Sequence, residues 1–198
     1  MEKDTKQRLF EVMSRLDPSF KKLNEVTIGS LTLSDDDVNE IMKGYLDAAL
    51  WTEEENLKEM VRGDDDEYGD YLNDEDGESE EEIKFLQILR QKLGYGDIKS
   101  FTKEHINDDS IIKAYLDVKK FLTNSGEEAV NDMIRNNGLF RLGMDIWLTR
   151  NGHGSGFFDH SYDYDDSEKN LTQNAKNLGG VDLYVGDDGI LYFSNEHK

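Results

Sequence analysis

Between Asp145 and Asp159 the chain reads D-I-W-L-T-R-N-G-H-G-S-G-F-F-D, and no other stretch restricts its own conformation so tightly. Apolar and aromatic residues (Ile146, Trp147, Leu148, Phe157, Phe158) flank a polar turn in which Gly152, Gly154 and Gly156 recur at every second position. Glycine permits positive φ and close backbone approach, so this spacing marks a sharply specified turn or a site. The pattern predicts strands over Asp145–Thr149 and Ser155–His160, joined through Asn151-Gly152-His153-Gly154.

The same turn carries the candidate chemistry. Its N–H groups suit an anion, and Arg150 suits a phosphate or carboxylate clamp. Histidine is the side-chain type whose ordinary titration lies near neutrality, so His153 suits general acid–base work, with Asp159 or Asp145 to orient it. A structural role fits equally: Asn-Gly and His-Gly are turn residues, Arg150 pairs with an acid, and His153 caps the turn. Both readings stand. Arg150, His153 and Asp159 are the catalytic candidates, none of them assigned, and Arg150, Asn151 and His153 are binding candidates.

Composition narrows the classes. The chain has 198 residues and a net charge of −21, with 36% hydrophobic residues and nine Tyr, nine Phe and two Trp. That aromatic content supports a core, in one domain or one domain with an added helical part. The absence of cysteine excludes disulfides and Cys-ligated zinc. No run reaches the roughly 18 apolar residues of a membrane span, and the N-terminal M-E-K-D-T-K-Q-R-L-F has no apolar h-region. A soluble cytoplasmic protein is expected. The charge repels nucleic acid and anionic membranes and favours partners with basic surfaces.

That charge is concentrated. Glu53 to Glu82 holds sixteen acids and two bases, two-thirds of the net total, and reads as a loop. Asp64, Asp65, Asp66, Glu67, Asp70, Asp74, Glu75 and Asp76 are candidate contacts to a basic partner. Carboxylates spread over a surface imitate the phosphates of DNA, which recur about every 1.7 Å along the duplex. The plainer reading is solubility. Asp64, Asp66, Asp70 and Glu75 with Gly69 also align with an EF-hand loop, but Tyr68 and Leu72 occupy ligand positions, so no calcium site is assigned. His153, Asp159, His160 and Asp163 match no zinc spacing, and neither a metal nor a cofactor is expected.

Apolar periodicity predicts helices over Thr5–Leu16, Asp35–Leu50, Glu80–Leu93, Asp108–Leu122, Glu127–Arg135 and Ser167–Leu178. Ser34 caps the second, and Phe20–Leu33 reads as a connection. Val181–Val185 and Ile190–Ser194 form a hairpin around Gly186-Asp187-Asp188-Gly189. The expected fold class is α+β. Residues 1–140 form a mostly helical bundle with an acidic loop at about 53–82, and 141–198 form a ββαββ module. The two make one compact unit packed through Trp147, Phe157, Leu183 and Tyr192, with Trp51 also a core anchor.

Two long strings carry a family resemblance. D-I-W-L-T-R-N-G-H-G-S-G-F-F-D resembles D-F-W-L-T-R-N-G-H-G-A-G-F-W-D of a tailed-bacteriophage protein family, and Leu178 to Tyr192, L-G-G-V-D-L-Y-V-G-D-D-G-I-L-Y, resembles its following segment. Tyr45 to Thr52 is a weaker match. Ile146, Ser155 and Phe158 are mild departures that preserve shape and polarity. The resemblance implies a phage origin and action in the cytoplasm of an infected bacterium, and it transfers no catalytic role. With the charge, it points to a protein that binds and inhibits or redirects a basic, nucleic-acid-handling host or defence protein, with no direct nucleic-acid binding. The alternative is a small enzyme with a hydrolase-type site at the Arg150–Asp159 turn.

Overall fold

The crossing of two helices sets the architecture. The structure, a computed structural model, describes residues 25–62, 102–159, 166–186 and 188–195. The expected helices Thr5–Leu16 and Glu80–Leu93, and the acidic stretch from residue 63, lie outside the described residues. Those described form five α-helices and two antiparallel hairpins, an α+β fold.

Strands β1 (Val26–Ile28) and β2 (Leu31–Leu33) pair with Val26 opposite Leu33 and Ile28 opposite Leu31. This hairpin falls in the expected connection, because strands of three residues are too short to show periodicity. Helix α1 (Asp35–Arg62) follows. Ser34 N and Oγ donate to Asp37 Oδ2 at 2.8 and 2.7 Å, and Asp37 N returns to Ser34 Oγ at 3.3 Å. This reciprocal cap confirms Ser34 as the start. The helix runs past Leu50, so Glu53 to Arg62 is helix and not loop. Glutamate is a good helix former, and Leu57 in that stretch is fully buried.

Helix α4 (Leu139–Asn151) corrects the main expectation. Asp145–Thr149 is helix, and Phe157–Asp159 is a short 3-10 turn, so the first strand pair of the ββαββ module does not form. The cause is burial on all sides. Leu142, Gly143 and every residue from Asp145 to Arg150 are buried, which erases the one-sided 3.6-residue period. Asn151-Gly152 ends this helix: Gly152 is left-handed at φ 72°, and its N–H and that of His153 go to Leu148 O.

Helices α1 and α4 cross at two glycines. A Cβ on Gly44 would lie 1.9 Å from Phe140 O, and one on Gly143 would lie 1.9 Å from Ile41 O. The backbones meet there with no room for a side chain. Around this crossing pack α2 (Asp108–Ser125), α3 (Glu127–Asn137) and α5 (Asp166–Lys176). Asn107 caps α2, accepting from Asp109 N at 2.9 Å and Ser110 N at 3.4 Å.

The C-terminal hairpin forms as expected from β3 (Val181–Val185) and β4 (Leu191–Asn195), with Leu183 opposite Phe193 and Tyr184 opposite Tyr192. Val181, Leu183, Leu191 and Phe193 face the core. Phe193 meets Trp147 at 5.6 Å and Tyr45 at 6.3 Å between ring centroids. Trp147, Phe157 and Leu183 are core residues as expected, whereas Tyr192 points away from the core and Trp51 is 65% exposed. Among the described residues no helix is long and apolar enough to cross a membrane.

Gly44→Ala and Gly143→Ala are each expected to destabilise by about 3 kcal/mol, the upper range for overpacking, because the obstructing atom is backbone. Chemical denaturation measures this. A loss below about 0.5 kcal/mol would show that the helices do not meet at these glycines.

Candidate functional site

The candidate motif begins inside the core. The Arg150 side chain is 1% exposed. Its Nε donates to Gly179 O at 2.9 Å, one terminal nitrogen donates to Tyr45 Oη and to Asp117 Oδ2 at 2.9 Å, and the other donates to Leu178 O at 3.5 Å. Four of the five guanidinium N–H donors are therefore engaged by the protein itself. The cation also lies 6.0 Å from the Tyr45 ring centroid. Burial pushes the Tyr45 hydroxyl up to about 12, against the lowering pull of the Arg150 charge. Arg150 pairs with an acid in the interior and presents no open fork to an external anion.

Its neighbours are engaged in the same way. Asn151 Oδ1 accepts from Val181 N at 2.9 Å and fixes the start of β3. Thr149 Oγ1 accepts from Phe157 N at 3.1 Å, and a Cβ on Gly156 would lie 2.2 Å from that hydroxyl. Gly156 is thus required by a close approach within the fold. Phe157 then stacks on Phe121, with centroids 5.4 Å apart and planes 5° from parallel. Asp145 is fully buried and lies 3.0 Å from Arg141 Nε.

Among the described residues, His153 is the one titratable side chain of the turn that reaches both solvent and a charged partner. It is 28% exposed, and its Nε2 lies 3.5 Å from Glu53 Oε1. Glu53 is held by Asn56 Nδ2 at 2.8 Å. The imidazole lies 6.4 Å from Trp147 between centroids, 20° from parallel, and Trp147 Nε1 donates to Thr52 Oγ1 at 2.8 Å. Such a pair can hold or move a proton at the exposed edge of the ring. It has no free hydroxyl from Thr52, which also donates to Ala48 O at 2.9 Å. Asp159 is exposed and, among the described residues, bonds neither Arg150 nor His153.

The structure therefore splits the motif. Arg150 joins Tyr45, Asp117 and Gly179, while His153 joins Glu53 and Asn56. Sequence reasoning missed these partners, which lie tens of residues away and belong to no local pattern. A cavity of about 340 Å³ opens elsewhere, between the starts of α3 and α5, lined by Ser125, Glu127, Glu128, Asp166 and Asn170 among others. Its carboxylates disfavour an anion. Among the described residues no three His, Asp or Glu side chains are placed to hold a metal ion. The EF-hand-like stretch, the acidic candidates from Asp64 to Asp76, and His160 and Asp163 lie outside the described residues.

Comparison of the chain with known protein families, curated proteins and solved structures gives no match.

The raised Tyr45 pKa has a definite sign. The neutral hydroxyl is favoured in the folded state, so its contribution is complete below the ordinary value near 10 and is lost as pH rises toward about 12. Stability should fall across that window, and Tyr45→Phe should flatten the fall. Denaturation midpoints measured against pH check this, and equal slopes for the two proteins would contradict it.

Proposed function

We propose that this protein acts by binding: it engages a basic protein of an infected bacterium, a nucleic-acid-handling host or defence factor, and inhibits or redirects it. The observation that carries this reading is the internal engagement of Arg150. The one cation of the most conspicuous motif serves the fold, which leaves the outer surface to do the work. That surface is acidic. Trp51 stands 65% exposed on α1, the helix that leads in sequence into Asp64, Asp65, Asp66 and Glu67 and on to Asp70, Asp74, Glu75 and Asp76.

The two features have complementary roles. Carboxylates accelerate encounter with a basic surface and reject acidic ones. A large exposed aromatic supplies the buried anchor around which an interface is built, and tryptophan is enriched at such positions. The resemblance to tailed-phage proteins supports the setting. The Glu53–His153 pair favours the second reading, an acid–base enzyme at this turn. It ranks behind because neither Arg150 nor Asp159 joins the pair.

Affinity capture from a bacterial lysate tests the proposal. A basic protein should be retained at about 0.05 M salt and released near 0.5 M, since screening shortens the reach of exposed charges. Trp51→Ala should reduce retention and His153→Ala should leave it unchanged. Capture that ignores salt, or that His153→Ala alone abolishes, would overturn the binding reading in favour of the turn.

A further inference from the structure

The outer face of the β3–β4 hairpin combines aromatic rings and carboxylates. Tyr184 and Tyr192 stand directly opposite each other in the register. Their rings stack with centroids 5.7 Å apart and planes 28° from parallel. Tyr184 is 38% exposed although it is a large aromatic on a short hairpin. Side chains two apart on a strand share a face, so Asp182 stands on the same side as Tyr184, and its cross-strand partner is Ser194. The Asp182 side chain is exposed and, among the described residues, makes no hydrogen bond or ion pair.

The far end of the face is built around Asp188. Tyr192 Oη donates to Asp188 Oδ2 at 2.7 Å, and Ile190 N donates to Asp188 Oδ1 at 3.1 Å. The Tyr192 ring lies so close over the turn that a Cβ on Gly186 would meet it at 2.6 Å. The hydrogen bond to Asp188, with burial and the nearby charges of Asp188 and Asp109, raises the Tyr192 pKa. Tyr192 is therefore anchored before any partner arrives, Tyr184 stacks on it, and among the described residues the charged side chains acting on Tyr192 are acidic.

We propose that the Tyr184–Tyr192 pair with Asp182 is a docking site for an arginine side chain of the basic partner. The chemistry selects the occupant. An aromatic face attracts a cation through its quadrupole, and a planar guanidinium lies flat on a ring more readily than an ammonium. Its edge N–H groups then meet the exposed Asp182 carboxylate in the forked arrangement that arginine favours. The inference rests on the binding function proposed above and names one place where that binding occurs.

The test uses the full chain with labelled tyrosine rings in an NMR titration. The probes are a short Gly-Arg-Gly-Arg-Gly peptide and the same peptide with neutral citrulline in place of arginine. The arginine peptide should shift the Tyr184 and Tyr192 ring signals saturably, and the citrulline peptide should leave them in place. Tyr184→Ala should weaken binding by about two- to five-fold, the range of an exposed cation–π contact, while Tyr184→Phe keeps it. Asp182→Asn should also weaken it. Equal shifts with citrulline, or no effect of Tyr184→Ala, would overturn the assignment. Arginine-peptide shifts confined to other residues, such as the Trp51 indole, would also overturn it while leaving the wider binding reading intact. No binding of the arginine peptide anywhere on the chain would remove both.

Discussion

A buried guanidinium holds this fold in register. A cation taken out of water is costly unless every side of it is paired. Arg150 meets that condition through Tyr45 of α1, Asp117 of α2 and the carbonyls of Leu178 and Gly179 that lead into β3. One planar group thus connects both central helices, a peripheral helix and the approach to the C-terminal hairpin. Arginine suits this role because its donors point in fixed directions in one plane, whereas a lysine ammonium cannot reach four acceptors so spread. The arrangement depends on the close approach of α1 and α4 at Gly44 and Gly143, which brings Tyr45 within reach. It also depends on Gly152, which ends α4 just after Arg150.

This interior use of charge shapes what the outside can do. A chain with net charge −21 repels itself, and that repulsion opposes compactness. The core answers it with dense aromatic packing among Trp147, Tyr45, Phe193, Phe121 and Phe157. A basic partner would relieve the same repulsion from outside, so binding and stabilisation would act together. Trp51 and Tyr184 are exposed aromatics, and in such a complex they would supply shape-specific contacts that charge alone does not. His153 and Glu53 lie between these two worlds, the imidazole partly exposed and the carboxylate buried, paired beside Trp147.

Much of the helical framework was legible in the sequence. Ser34, Asn136-Asn137-Gly138 and the apolar stripe of α2 marked real boundaries, and the alternation of Val181, Leu183, Leu191 and Phe193 marked a real hairpin. Asp145–Thr149 misled because a helix buried on every side resembles a buried strand. Asn-Gly misled because the same dipeptide serves a hairpin turn and a helix end. The acidic run hid the second half of α1, since charge density masks the good helix propensity of glutamate. The reading of Arg150 as a cation paired with an acid was available, but its burial and its partners Tyr45 and Asp117 were not. Nothing local announces a contact across such separations.

Equilibrium unfolding of Arg150→Met against the parent chain tests the central claim most directly. Methionine keeps much of the length and apolar stem but leaves Asp117, Tyr45 and two carbonyls without their donor. The account predicts a loss of about 3–5 kcal/mol, the range for breaking a buried charge pair by removing one member. A variant as stable as the parent, within about 0.5 kcal/mol, would contradict it and would return Arg150 to the surface as a ligand-binding group.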